Sequence, residues 1–228
     1  MLQINRDKTK TPPKWMTKAD VEVFLRHVAK RPSLGGATPK SPNHYDATKW
    51  LAIFLLMYQH GLRRSEACML EIIDYDADRG TLRIYRAKNG VTNDFSLQPN
   101  EKLVLDAWIE RRAKTYKLPR DKGFLFPKRG LDPWAQLGPS AIYSMFITIM
   151  LELGMTRKGY HPHSLRHSIA VHMAETGMDI KDVQDWLGHK NIANTRIYLD
   201  ITDPMRKSNA ERVARLISKV VPKLPTSG

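Results

Sequence analysis

Six polar side chains that suit phosphate chemistry follow one another along the chain. They are Arg63, Lys88, His163, Arg166, His189 and Tyr198. Two arginines can clamp the non-bridging oxygens of a phosphodiester and stabilise the extra charge of its transition state. A tyrosine can attack phosphorus and form a covalent phosphotyrosine. A histidine can take the tyrosine proton, and a lysine can protonate the leaving oxygen. The set predicts strand cleavage and rejoining without ATP, because the covalent link conserves the energy of the phosphodiester bond.

Several of these residues also have ordinary structural explanations. The charge of Arg63 could cap the helix before it, and Lys88 could be an ordinary lysine beside a turn. His163 and His167 are four residues apart and could share a metal ion, but Ser164 stands where the zinc-protease motif has a glutamate. The arginines and the lysine already supply positive charge, so we expect neither a metal ion nor a cofactor.

Composition points to a nucleic-acid partner. Among 228 residues, 37 Lys and Arg face 23 Asp and Glu, a net charge of +14, which favours a polyanion over a membrane surface. Residues 111–131 hold eight basic residues and one acid, typical of a solvated face or a DNA-backbone contact. Cys68 is the only cysteine, which excludes an intrachain disulfide and a zinc finger. The apolar run Trp50–Tyr58 is too short to span a membrane, and we expect a cytoplasmic protein.

Periodicity predicts an α+β fold that is mainly α, with a small antiparallel three-stranded sheet. Alternation over 81–86, the turn signal Asn89-Gly90 and a second run over 95–97 predict two strands, and Ile72-Ile73 is the candidate third. Helices are predicted over 17–30, 46–60, 64–70, 100–116, 140–153, 164–175, 179–187, 195–199 and 204–220. The expected organisation is a flexible basic arm at 1–14, a catalytic domain at 15–220 and a flexible tail at 221–228.

Five motifs in this order resemble the signature of the tyrosine recombinase (phage integrase) family, over about residues 15–219. The motifs are Gly61-Leu-Arg-Arg-Ser-Glu66, Lys88 beside a hairpin turn, His163-Ser-Leu-Arg166, Leu187-Gly-His189, and Tyr198 nine residues after that histidine. The resemblance implies a site-specific DNA recombinase, of the integrase or invertase type, that acts through a 3′-phosphotyrosyl intermediate.

The resemblance also implies a role for each residue. Arg63 and Arg166 bind the scissile phosphate, and Tyr198 is the nucleophile. His163 is the general base or proton shuttle, and His189 supports the transition state. Lys88 is the general acid that protonates the 5′-hydroxyl leaving group. Glu66 and His167 orient the arginines and the tyrosine.

The chain departs from the family pattern in two places. It resembles the short recombinases, such as fimbrial invertases, or else it is a fragment. We expect a form without the N-terminal core-binding domain, with accessory DNA-binding proteins as possible partners. The lysine motif reads Arg86-Ala-Lys88-Asn-Gly, which leaves Arg86 as the alternative to Lys88. The resemblance implies double-stranded DNA as partner and a homo-tetramer on that DNA. Two other functions stay open: a type IB topoisomerase, and a catalytically idle DNA-binding regulator.

Overall fold

The computed structural model describes residues 14–31, 45–86, 92–128, 132–189 and 195. The first helix, α1, spans Lys18–Lys30, and Thr17 caps it by accepting a hydrogen bond from the Asp20 amide. The second, α2, spans Ala47–Gln59, and the carboxylate of Asp46 caps it. Both caps satisfy amide groups that the first turn of a helix leaves without partners.

The core forms around α2, because apolar side chains cover most of its circumference. Phe54 of α2 packs against Phe24 of α1 and Phe146, with ring centroids 5.1 and 6.1 Å away. Edge-to-face pairs of this kind add to the stability that burial supplies. The helix thereby becomes the central element on which the others pack.

A short helix and a small sheet follow α2. Helix α3 spans Arg64–Met69, a 3₁₀ helix spans Ile72–Asp74, and the strands are β1 at Tyr75–Asp76, β2 at Thr81–Ile84 and β3 at Asn93–Ser96. The strands lie in the order β1-β2-β3, both pairs antiparallel, with Leu82 opposite Phe95.

The third strand differs from the prediction. Ile72 and Ile73 form a 3₁₀ turn, in which the Asp74 carboxylate accepts a hydrogen bond from the Glu71 amide. Ile73 is 80% exposed. The local Asx contact closes a turn and outweighs the strand propensity of two isoleucines, so the strand begins three residues later than Ile72, at Tyr75.

The fourth helix, α4, spans Pro99–Tyr116 and anchors the irregular segment that follows it. The indole of Trp108 donates to the Leu125 carbonyl at 2.8 Å. Arg112 is fully buried, and its guanidinium donates to the carbonyls of Pro119, Lys122 and Phe124. Arg112 therefore belongs neither to a solvated face nor to a DNA-backbone contact, the two interpretations of the basic run 111–131.

Three further helices complete the described chain. They are α5 at Pro139–Glu152, α6 at Pro162–Glu175 and α7 at Ile180–Leu187. Gly188 ends α7 in the left-handed conformation at φ 63°. A glycine directly after a helix commonly adopts this conformation, and Gly188 lies immediately after the predicted helix over 179–187. A second 3₁₀ helix, Thr156–Lys158, was not predicted.

The predicted fold class is confirmed: the described chain is mainly helical with a three-stranded antiparallel sheet. The predicted helix over 195–199 lies outside the described residues except for Thr195, which is helical. The turn at Asn89-Gly90 and the helix over 204–220 also lie outside them. No helix in the described part of the chain is long and apolar enough to cross a membrane.

Candidate phosphate-binding site

Arg166 lies where the ends of three elements meet. It is buried on α6 and is 2% exposed. Its Nη1 donates to the Gly61 carbonyl and its Nη2 to the Leu187 carbonyl at 2.7 Å. These carbonyls follow α2 and close α7, and they hold the guanidinium in one orientation.

Gly61 cannot be replaced without disturbing this contact. Its φ is +60°, and a Cβ atom there would collide with Leu187 and lie 3.5 Å from Cγ of Arg166. The glycine permits the close approach of α2, α6 and α7. The Gly-Leu-Arg sequence thus places both arginines of the site.

Arg63 is the second guanidinium of the site. It occupies the N-cap position of α3, and its Nη1 lies 2.6 Å from Oε1 of Glu66. Glu66 is 1% exposed, and its Oε2 accepts from the Arg63 amide at 2.9 Å. The side chain of Arg63 is 24% exposed, so it is oriented by the carboxylate and still open to an anion.

One buried carboxylate connects three arginines. Oε2 of Glu66 lies 3.3 Å from Nη1 of Arg86 and 3.9 Å from Nη1 of Arg166. Burial acts to raise the pKa of Glu66, but the Arg63 amide and the charges of Arg86 and Arg63 lower it more, and the net pKa lies below its usual value. Glu66 is therefore ionised at neutral pH.

Arg86 itself is buried beneath the site. Its Nη2 donates to the carbonyls of His60 and Trp186, at 2.9 and 2.6 Å. Desolvation lowers the pKa of its guanidinium. The sequence had left Arg86 as the alternative to Lys88 as proton donor. In the structure the guanidinium of Arg86 is already bonded to Glu66 and to the carbonyls of His60 and Trp186.

Three histidine rings line the site at the start of α6. The ring centroids of His161, His163 and His167 are 5.9 to 6.4 Å apart. Part of the His163 surface remains accessible to solvent, although protein packs around its ring. Loss of water around its ring, followed by the positive charge of Arg166 and Arg63, lowers its pKa to about 4. It is therefore a neutral imidazole at neutral pH.

His189 stands beside the arginines from the other side. Burial, followed by the charges of Arg166 and Arg63, lowers its pKa to about 3. Its Nδ1 lies 2.9 Å from Oγ1 of Thr195. Gln184 holds its backbone, because the side-chain amide donates to the His189 carbonyl at 2.7 Å. Thr195 was not singled out as a site residue from the sequence.

The structure thus brings together four of the six residues predicted from the sequence: Arg63, His163, Arg166 and His189. Lys88 and Tyr198 lie outside the described residues. Within the described ranges, no group of three or more His, Cys, Asp or Glu side chains is arranged to hold a metal ion. The assembled groups are two oriented guanidinium groups and two neutral imidazoles, which suit an oxyanion ligand.

Comparison with known sequences identifies the family. The sequence profile of the phage integrase family matches residues 14–205. The type 1 fimbriae regulatory protein FimE of Escherichia coli K12 is 33% identical over 164 residues, which cover 72% of this chain and 77% of FimE. Tyrosine recombinase XerA of Pyrococcus horikoshii is 30% identical over 201 residues, which cover 84% of this chain and 67% of XerA.

Solved structures share the fold. The XerH site-specific recombinase, in a post-cleavage complex with its difH substrate, matches with a TM-score of 0.70 at 21% identity, over 91% of this chain and 55% of XerH. The Tn1549 transposon integrase, in complex with transposon right-end DNA, matches with a TM-score of 0.67 at 22% identity, over 92% of this chain and 68% of that one. The chain belongs to the phage integrase family and is a site-specific recombinase of the tyrosine class.

Proposed function

We propose that this recombinase cleaves and rejoins strands of double-stranded DNA through a transient 3′-phosphotyrosyl link at Tyr198. The observation that supports it best is that Arg63 and Arg166 both approach the carboxylate of Glu66. The charges of the same two arginines help to lower the pKa of His163 and of His189, so both rings lie close to them. The relatives include proteins named tyrosine recombinases, and two structural neighbours were solved with DNA.

The charge of the site suits a phosphodiester that gains charge as it reacts. Three guanidinium groups and one carboxylate, with neutral histidines, leave a net charge of +2. A phosphodiester carries one negative charge, and attack by a tyrosinate adds a second in the transition state. Oriented cations stabilise the transition state more than the ground state, which is what accelerates the step.

The cleavage step is a substitution at phosphorus. The phenol oxygen of Tyr198 forms a bond to phosphorus while the bond from phosphorus to the 5′-oxygen breaks. His163 takes the phenol proton, for which its neutral ring is competent, and Lys88 donates a proton to the departing 5′-oxygen. Arg63, Arg166 and a donor hydrogen on His189 hold the non-bridging oxygens.

Rejoining reverses these transfers. A 5′-hydroxyl from another strand attacks the phosphotyrosine, and Tyr198 leaves as a phenol. The exchange of strands between two duplexes requires four such sites, so we propose that a homo-tetramer assembles on DNA. Because the substrate is DNA, the proposal places the protein in the cytoplasm.

Chain connectivity limits how far the two remaining residues, Tyr198 and Lys88, can be from described residues. Tyr198 is three residues beyond Thr195, which contacts His189, so its Cα lies within about 11 Å of the Thr195 Cα. Lys88 is two residues beyond the buried Arg86, so its Cα lies within about 7 Å of the Arg86 Cα. The roles proposed for both residues are therefore compatible with chain connectivity.

A nicked suicide substrate tests the proposal. Wild type should form a covalent protein–DNA adduct on a denaturing gel, and Tyr198→Phe should form none while binding the same DNA. Tyr75→Phe is the matched control, since it removes a hydroxyl that bonds Asp106 away from the site, and its adduct yield should equal that of wild type. Wild type that binds cognate DNA without any adduct would favour the idle-regulator alternative, and relaxation of a single supercoiled duplex without strand exchange would favour the topoisomerase.

A further inference from the structure

We propose that Arg64 binds a DNA phosphate next to the scissile one, on the same strand. The inference rests on the proposed action on DNA and adds a second phosphate contact beside the reacting one. Arg64 follows Arg63 directly in the chain, yet its guanidinium has different partners.

The side chain of Arg64 lies between α3 and α5. Arg64 is the first residue of α3, and its guanidinium carbon stands 5.4 Å from the ring centroid of Tyr143 on α5. Its Nη1 lies 3.5 Å from the Pro139 carbonyl, at the outer limit for a hydrogen bond. The guanidinium of Arg63 instead bonds the carboxylate of Glu66, at 2.6 Å. The two neighbouring arginines are therefore held in different places.

The ring of Tyr143 orients the guanidinium without using its donors. Tyr143 is 45% exposed and Arg64 is partly exposed, so the pair lies at the surface. A guanidinium within about 6 Å of an aromatic ring is attracted by the π-electrons of that ring. Its N–H groups lie at the edge of the guanidinium plane, and the weak contact with Pro139 leaves most of them available. Arg64 is thereby placed and still able to bind an anion.

No carboxylate neutralises Arg64 within the described ranges. The buried carboxylate of Glu66 faces the other arginines of the site, which are Arg63, Arg86 and Arg166. The described residues include no ion pair of Arg64. Each phosphate of a DNA strand carries one negative charge, so an uncompensated guanidinium beside the phosphate site suits a second phosphate.

The charge of Arg64 reaches the phosphate site. Loss of water around each ring, followed by positive charges that include that of Arg64, lowers the pKa of His161 and of His163. The centroids of these two rings are 6.4 Å apart. Lys14 also acts on His161, and its Nζ rests on Gly159, where a Cβ atom would collide with it. Positive charge therefore continues from the reacting phosphate to the region around His161.

The spacing of the two arginines suits successive phosphates. Phosphates of one strand follow each other at about 3.4 Å along the helix axis, and the Cα atoms of adjacent residues are about 3.8 Å apart. The guanidinium groups are held by side chains of two helices, α3 for Arg63 and α5 for Arg64. A phosphate bound by Arg63 therefore leaves Arg64 to a neighbouring phosphate.

Uncharged phosphates test the contact. A methylphosphonate has a methyl group in place of one non-bridging oxygen and carries no charge. The duplex is selected for binding from a random pool, and the adduct formed by wild type on its nicked form locates the scissile phosphate. One methylphosphonate is then placed in turn at each of the two phosphates on either side of the scissile one, and dissociation constants are measured for wild type and Arg64→Met.

The two changes should be coupled at one of these positions. There the methylphosphonate should weaken binding by wild type about tenfold, and Arg64→Met should weaken binding to unmodified DNA by a similar factor. Combined, they should still weaken binding only about tenfold, whereas independent changes would multiply to about a hundredfold. Thermal unfolding checks that the variant folds, and Arg64→Gln serves in the same cycle if Arg64→Met does not fold.

Arg83→Met is the matched control, because Arg83 is also an exposed arginine but pairs with Asp94 at 2.9 Å. Its effect on binding should multiply with that of every methylphosphonate. If the effects of Arg64→Met also multiply at all four positions, the inference is wrong, while the covalent adduct of wild type leaves the proposed function intact. If wild type forms no adduct, the proposed function fails and this inference fails with it.

Discussion

Nδ1 of His189 lies 2.9 Å from Oγ1 of Thr195, a residue with no exposed surface. The imidazole is neutral, because burial and then the arginine charges lower its pKa to about 3. A neutral imidazole carries one hydrogen, and the bond at one nitrogen decides which nitrogen has it. If the threonine hydroxyl donates to Nδ1, Nε2 keeps the hydrogen and can donate to a phosphate oxygen.

Thr195→Val should therefore slow cleavage by about 10- to 100-fold, because the tautomer of His189 is no longer fixed. Thr195→Ser keeps the hydroxyl and should cleave within about threefold of wild type. Single-turnover cleavage of a suicide substrate, with DNA binding measured in parallel, checks both. Equal rates for the valine and serine variants would show that the hydroxyl of Thr195, and the tautomer of His189 that it fixes, do not affect cleavage.

The pH dependence of cleavage should reflect the low pKa of His163. With a pKa of about 4 in the free protein, the ring is an available base at any pH well above that value. The apparent second-order rate of cleavage, which reports on the free enzyme, should stay level from pH 8 down to about pH 5. An inflection near pH 6.5 that disappears in His163→Ala would contradict this assignment.

Local patterns predicted the elements well, because their determinants are close in sequence. Thr17 caps α1 and Gly188 ends α7 through contacts with residues no more than four positions away. The motif His163-Ser-Leu-Arg166 places both side chains on the first turns of one helix. The family pattern therefore predicted four residues that the structure brings together, Arg63, His163, Arg166 and His189.

Long-range contacts could not be predicted in the same way. The burial of Arg86 depends on Trp186, 100 residues later, and no local pattern distinguishes it from an exposed strand arginine such as Arg83. The contact between His189 and Thr195 joins residues six positions apart, and no local pattern predicted it. At Ile72 the apolar pair suggested a strand, but a single carboxylate contact from Asp74 decided the conformation.

Acid should destabilise the contact between α1 and α5. Hydrogen bonds from Arg31 and His27 lower the pKa of Glu152 to about 2, against its desolvation. A carboxylate whose pKa falls on folding stabilises the folded protein at every pH above its pKa in the unfolded chain, about 4.3. That contribution is lost as the pH falls towards 2. Urea unfolding at pH 7, 4.5 and 3 measures it.

Glu152→Gln should show a smaller loss of unfolding free energy between pH 4.5 and 3 than wild type. The Glu152 side chain is 30% exposed, and solvent screening reduces the difference to about 1 kcal/mol. Glu22→Gln is the matched control, since its partner Arg26 lies one turn away on the exposed face of α1. The same pH dependence in wild type and Glu152→Gln would show that the carboxylate has the same pKa in both states.

The basic segment 111–131 should separate into structural and DNA-binding residues. Arg112 is buried, desolvation lowers the pKa of its guanidinium, and three main-chain carbonyls accept its hydrogen bonds. Arg112→Met should therefore lower the free energy of unfolding by at least about 2 kcal/mol, because those carbonyls lose their donor. Chemical denaturation measures this loss.

Lys122 is exposed in the same segment, and we expect its replacement to affect DNA binding rather than stability. Lys122→Gln should leave stability within about 0.5 kcal/mol of wild type. If its charge contacts a phosphate, the slope of log affinity for DNA against log salt should become shallower by about 1. Arg112→Met, studied where it is folded, should leave that slope unchanged, because a guanidinium enclosed by main-chain carbonyls releases no counterion from DNA. A shallower slope for Arg112→Met with full stability would place that side chain at the DNA instead.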